Sequence, residues 1–195
     1  GDGSPYSTTE DTIINSSDDW SYINLSEEDW LYIDAEDGGL SYGTSSALIR
    51  FPDVFGQAEG QIPVEADIIS ASLQLYISNP GGLVEAFEVL EDWDIDEVTW
   101  EQRSDDDGEW AESGISDFPS HATKVLDDFE DIKGEWVTLS ITSAVEYWAV
   151  EPSENYGIVL KTEANDGTDI PSSEYDDESL RPKLSVVFTL PDDWE

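Results

Sequence analysis

Alternating apolar and polar residues, turn-forming residues at short intervals and very little helical spacing predict an all-β chain. The expected architecture is a jelly-roll-like antiparallel β-sandwich with one short helix near 143–149. The clearest alternation lies in 70–78, where Ala71, Leu73, Leu75 and Ile77 interleave with Ser70, Ser72, Gln74, Tyr76 and Ser78. Segment 135–141 puts Val137, Leu139 and Ile141 on one face, and 183–190 does the same with Leu184, Val186, Phe188 and Leu190. Shorter strand candidates are Asp11–Asn15, Trp30–Asp34, Ser46–Phe51, Val84–Leu90, Val98–Trp100, Thr123–Leu126 and Gly157–Lys161. Between them stand Gly38-Gly39, Asn79-Pro80-Gly81-Gly82, Asp107-Gly108, Gly134 and Asn165-Asp166-Gly167, residues that adopt turn geometry at low cost. Thr142 or Ser143 is the expected cap of the helix, whose Val145, Trp148 and Ala149 fall at helical spacing. One domain over 11–190 is expected, preceded by an extended segment 1–10 and followed by a short tail, 191–195.

Charge narrows the function. Of 195 residues, 47 are Asp or Glu and 7 are Lys or Arg, a formal net charge of −40. Such a surface repels phosphate backbones and anionic lipid headgroups, which argues against nucleic-acid and membrane-surface roles. Eight Trp, eight Tyr and six Phe supply enough apolar area for a core, so the acidity does not signal disorder. With no cysteine, disulfides and thiol chemistry are excluded. No apolar run approaches the ~18–20 residues of a membrane helix. The environment this composition fits is molar salt, where the Debye length falls to ~3 Å and dense carboxylates cease to repel at a distance. The start at Gly1, without Met, is consistent with a removed targeting segment or with an artificially trimmed chain.

Several stretches resemble a known family in order and spacing. Asp11-Thr12-Ile13-Ile14-Asn15, Leu31-Tyr32-Ile33 and Ala47-Leu48-Ile49-Arg50-Phe51 are similar to its early strands, and Ala66 to Ile77 to the strand that follows. Asp92-Trp93 with Val98-Thr99-Trp100 resembles a "DW…VTW" element. Trp136 to Trp148 matches a late strand–helix pair, and Ser173-Glu174 through Arg181-Pro182-Lys183-Leu184 an "S-E…RP-L" ending. The family is that of the DNRLRE, or disaggregatase-related, domains, which overlap with family 96 carbohydrate-binding modules. The resemblance implies a jelly-roll sandwich on exported or cell-surface proteins, without catalysis of its own. It carries over no binding residue, and the density of acids here disfavours a polyanionic sugar unless cations bridge.

Individual residues offer few sharp signals. His121 has Ser120 and Asp117 nearby in sequence, but sequence neighbours rarely form a triad. Trp20, Tyr22, Trp30 and Trp110 lie in polar surroundings and are candidates to stack on sugar rings; the competing role is to cap the sandwich or meet another subunit. Trp93, Trp100, Trp136 and Trp148 are expected in the core. No cofactor is required, but a structural Ca²⁺ is conceivable at the acid-rich loops, with Asp105, Asp106 and Asp107, or Asp176, Asp177 and Glu178, as ligands. Asn15-Ser16-Ser17 and Asn24-Leu25-Ser26 match the N-glycosylation triplet, making Asn15 and Asn24 possible acceptors. Arg50 and Arg181 are expected in structural ion pairs.

These observations lead to two expectations. The first is a non-enzymatic, extracellular structural protein of a halophile, assembling into a filament, sheath or matrix. It would polymerise through sheet edges or through the polar start Gly1–Ser7, which a neighbour would have to hold. The alternative is a monomeric carbohydrate-binding module using exposed Trp and Tyr against a polysaccharide.

Overall fold

The computed structural model describes residues 8–35, 43–106, 108–115, 122–130 and 132–190. In chain order the first strands are β1 (Glu10–Asn15), β2 (Trp30–Ile33), β3 (Ser45–Arg50), β4 (Asp67–Tyr76) and β5 (Leu83–Val89). Then come β6 (Gln102–Ser104), β7 (Gly108–Glu109), β8 (Ala122–Glu130) and β9 (Trp136–Ser140). Helix α1 (Thr142–Val150) precedes β10 (Ile158–Thr162), β11 (Thr168–Pro171) and β12 (Lys183–Thr189). All pairings between these strands are antiparallel. One sheet runs β1-β3-β10-β5-β8 and faces a second, β12-β4-β9, while β11-β2 and β6-β7 form two-stranded ribbons. The chain is thus an all-β antiparallel sandwich with one short helix.

Sequence pattern sorts the two sheets by burial. Strand β4 alternates because only one of its faces is covered: Ala71, Leu73, Leu75 and Ile77 are buried, while Ser70 and the intervening positions face outward. The five-stranded sheet instead carries unbroken apolar runs, Ile13-Ile14, Ala47-Leu48-Ile49 and Ile158-Val159-Leu160, all buried. Its inner face (Ile13, Ala47, Ile49, Ile158, Leu160) joins Leu73, Leu75, Leu139 and the buried side of α1 in the main core. Its outer face (Ile14, Leu48, Phe87, Val89, Val159) lies beneath Trp93, Val98, Trp110 and Ile115 in a second core. A parallel-sheet-like run thus arises in an antiparallel protein because an excursion after β5 roofs the sheet.

Polar ties hold that roof. Trp93 Nε1 donates to the Tyr156 carbonyl at 2.8 Å, and Trp110 Nε1 to the Thr99 carbonyl at 3.0 Å. Lys161 Nζ donates to the carbonyls of Gly114 and Ile115, 2.7 Å each, and burial lowers its pKa to about 8. Gly114 itself has φ +69°, and a Cβ there would lie 2.3 Å from the Trp100 indole, so only glycine fits. Arg50 bridges Glu10 (2.6 Å) and Asp92 (2.9 Å) with its guanidinium 4.4 Å from the Trp93 ring centroid, the expected structural ion pair. Arg181 donates its Nε to the Tyr175 carbonyl at 2.8 Å, and its charge acts on the buried carboxylate of Asp11.

Several expectations are corrected. Val98–Trp100 is not a strand; Val98 N donates to the Asp94 carbonyl in a turn that lowers Val98 onto the sheet. The acid-rich stretch 104–109 carries the end of β6 and all of β7 rather than lying wholly in a loop, and β11 was not foreseen, its Thr-Asp-Ile-Pro being too short to register. The helix starts without a side-chain cap. The Thr142 hydroxyl instead accepts from Ala71 N (3.0 Å) and donates to Ala71 O (3.3 Å), continuing the β4–β9 ladder where β9 turns into α1. Trp136 is 37% exposed, edge-to-face with Tyr76 and covered by Lys183 Nζ 4.0 Å from its centroid, rather than in the core. Leu190 is exposed beyond the end of β12. Residues 1–7 of the N-terminal segment, the tail 191–195, Gly38-Gly39, Asp107, Asp117, Ser120 and His121 lie outside the described residues.

Candidate functional site

The β2–β11 ribbon closes one side of the sandwich, bridged to β3 through Asp34 and Ser45 and to the end of β4 through Asn79 and Asp169. Alternation along β2 buries Leu31 and Ile33 and turns Trp30 and Tyr32 outward on one face, ~7 Å apart. Trp30 packs edge-to-face on Tyr175, with centroids 4.7 Å apart at 60°. The register sets Asp169 of β11 opposite Tyr32, so a carboxylate flanks that ring.

The loop after β1 supplies the other wall. Asn15 Oδ1 accepts from Ser17 N at 2.9 Å, an Asx turn that starts a single tight coil in which Trp20 N and Ser21 N both donate to the Ser17 carbonyl. Ser16 N donates to the Thr44 carbonyl (2.9 Å), and Thr44 N returns a bond to Ser16 Oγ (2.7 Å). Further along, the Asn24 side chain is fully used. Its amide donates to the carbonyls of Ile95 (2.8 Å) and Val98 (2.9 Å), and its oxygen accepts from Ser26 N and Ser26 Oγ. Ser172, just past β11, fixes the entry to β2 by donating its hydroxyl to the Glu28 carbonyl (2.7 Å) and its N–H to the Asp29 carbonyl (3.0 Å).

Between these walls is an open groove of about 380 Å³, lined among others by Asn15, Trp20, Glu28, Tyr32, Asp34 and Ser45. That volume is at the small end for ligand sites. Trp20 is 48% exposed and Tyr32 40%, so both rings offer apolar surface to solvent at the rim. Burial raises the Tyr32 hydroxyl pKa, and the charges of Asp169, Glu28 and Asp29 add to it. Asp169 is also raised, by burial first and by Asp34 second, with Lys133 acting in the opposite sense. Aromatic faces beside fixed carboxylates and an amide can stack on the apolar face of a pyranose and accept hydrogen bonds from its hydroxyls.

Of the aromatic candidates, Trp20 lines the groove and Trp30 shares the outward face of β2 with Tyr32. Tyr22 is 73% exposed on the adjoining loop and is not among the lining residues. Trp110 is corrected: only 4% exposed, it belongs to the roof over the five-stranded sheet and has no face to offer a ligand. Tyr32, Glu28 and Asp34 were missed, although the Trp30-x-Tyr32 spacing on a strand was a usable signal. Both glycosylation triplets are Asx turns, and Asn15 Nδ2 also donates to Ser45 Oγ at 2.6 Å. A glycan at Asn24 would displace one of two internal bonds.

Of the acid-rich candidates for calcium, Asp105 and Asp177 have hydrogen-bond partners within the chain. Asp105 accepts from Gln102 Nε2 (2.8 Å) and its N–H donates to Glu97, beside Asp106 in the β6–β7 turn. Asp177 caps a 3-10 turn over Glu178–Leu180, accepting from Ser179 N and Oγ, while Asp176 and Glu178 are exposed. Among the described residues, no three His, Cys, Asp or Glu side chains are grouped to hold a metal ion. No helix among those residues is long and apolar enough to cross a membrane. No protein-family model matches the chain, and no curated protein matches it.

Proposed function

We propose that this chain is a non-catalytic, extracellular glycan-binding β-sandwich adapted to high salt, and that the groove between the β2–β11 ribbon and the loop after β1 is its binding site. What carries this function is the combination in one concavity of two half-exposed rings, Trp20 and Tyr32, with Asn15, Glu28, Asp34 and Ser45. Apolar ring faces with a few convergent polar groups are what a sugar needs in water, because a pyranose has an apolar face edged by hydroxyls. The groove's supports are backbone hydrogen bonds and bonds from the short side chains of Asn15, Ser16, Asn24 and Ser172 rather than from long side chains, so it is preformed and loses little entropy on binding.

The test is an oligosaccharide array read in molar salt, followed by titration of the best binder against Trp20→Ala and Tyr32→Ala. Each variant is expected to weaken binding about tenfold or more, the sugar being recovered intact. Retention of full affinity by both variants would remove the groove as the site.

A structural, self-assembling subunit is the second function, favoured by one observation: Val187 on β12 and Ile69 on β4 are exposed apolar residues on the outer face of the β12-β4-β9 sheet, and β12 forms its edge. The β12–β4 register shifts at Val187/Phe188, where Ile69 of β4 is the extra, unpaired residue, and such a bulge increases the local twist of the pair, a feature that blunts edge-to-edge pairing. Glycan binding is therefore preferred.

A further inference from the structure

Resting on the glycan-binding function proposed above, the geometry points to a ligand class: we infer that the groove takes a neutral, hydroxyl-rich sugar and rejects acidic ones. Glu28 and Asp34 line it, Asp169 stands opposite Tyr32 in the β2–β11 ribbon, and no Lys or Arg is among the described lining residues. Lys133 acts on Asp169, which also feels Asp34. A uronate or sulfated unit seated on the Trp20 and Tyr32 rings would bring its own negative charge against two or three carboxylates.

High salt sharpens this selection. With a Debye length of ~3 Å, the overall −40 charge contributes little to recognition, and only groups in contact with the ligand discriminate. For a cationic amino sugar, the gain is an exposed ion pair, which contributes little and for which molar sodium competes. For a neutral sugar, vicinal hydroxyls donate directional, charge-assisted hydrogen bonds to Glu28 and Asp34 that salt does not screen away. Tyr32 complements them: burial first, and then its carboxylate neighbours, raise the pKa of its hydroxyl, which is a donor to a ring or glycosidic oxygen.

The experiment is calorimetric titration of the whole chain in molar sodium chloride with matched hexamers. Mannose is set against mannuronate, and N-acetylglucosamine against glucosamine, with a glucose hexamer as a further neutral probe. The expected result is that at least one neutral hexamer binds about tenfold or more tightly than its acidic counterpart, and at least as tightly as its cationic one. In the double variant Glu28→Gln, Asp34→Asn, checked for its β-sheet circular dichroism, the neutral–acidic gap should shrink to about threefold or less. A uronate that binds as well as its neutral match, or a glucosamine hexamer about tenfold tighter than the N-acetyl one, would overturn the neutral-sugar assignment while leaving glycan binding intact. Failure of every hexamer to bind would instead remove glycan binding itself, and the neutral-sugar assignment with it.

Discussion

Asp11 is a buried carboxylate in a chain whose acids are otherwise mostly at the surface. It sits on β1, 2% exposed, and both of its oxygens accept from Ser173 N, at 3.1 and 2.9 Å. Burial pushes its pKa from 3.8 up to about 6; the Ser173 bonds and the Arg181 charge pull it back, and Glu174 adds to the rise. The folded chain therefore holds this proton more tightly than the unfolded one. Its contribution to stability is fully present below about pH 4 and is lost as pH rises through about 6. Between about pH 5 and about pH 7 that loss is of order 1 kcal/mol. Asp11→Asn, which keeps an acceptor for Ser173 N, is expected to flatten this part of the pH profile. Urea unfolding of both proteins in molar salt at the two pH values checks it; parallel profiles would show that Asp11 titrates normally.

Elements are positioned here by short polar side chains. The loop after β1 carries Trp20, yet the link that fixes its far end is Asn24, more than seventy residues from its partners Ile95 and Val98 in sequence. That tie connects the groove wall to the roof over the five-stranded sheet, and a bond from Glu101 N to the Ser21 carbonyl (3.3 Å) runs alongside it. Asn24→Ala would leave two backbone carbonyls unpaired and cost about 2 kcal/mol. The sandwich core is expected to survive. Amide hydrogen exchange over 17–28 should accelerate, and sugar affinity should fall severalfold although Asn24 touches no ligand. Unchanged exchange in that segment would mean that the Asx turn from Asn15 to Ser17 and the Glu101–Ser21 bond suffice to hold the loop.

At the scale of the whole molecule, charge and core compete. A net −40 on a sandwich of 195 residues raises self-repulsion in dilute buffer, where the Debye length is ~10 Å or more. Lys161, Arg50 and Arg103 are committed to local partners and do little to offset it. The melting temperature is expected to rise by about 10 °C or more between ~0.1 M and molar sodium chloride. Thermal scans followed by circular dichroism check this, and a flat response would remove the high-salt adaptation. Light scattering on the same samples separates the two functions: a particle near 21.7 kDa accords with a glycan binder, and large species in brine with a self-assembling subunit.

The sequence by itself determined the class of fold, because the period of apolar residues is a local property. Alternation in β4, β9 and β12 and the helical spacing around Trp148 are visible without knowing what packs on them. It also determined the charge regime and the absence of thiol chemistry. Some of the site was visible too: Trp20 lines the groove and Trp30 shares the outward face of β2 with Tyr32. Tertiary structure decided the rest. An Asn-x-Ser triplet reads as an acceptor for a glycan until Ser26 and two distant carbonyls are found on Asn24. Trp110 and Trp136 exchanged roles because burial of a large ring depends on whether a neighbouring segment roofs it, and the 93–115 excursion covers one sheet and not the other. The groove joins β1 and its loop to β2 and β3, and Ser172 beyond β11 braces it. Its shape comes from a register between strands that are far apart in sequence, which no local pattern encodes.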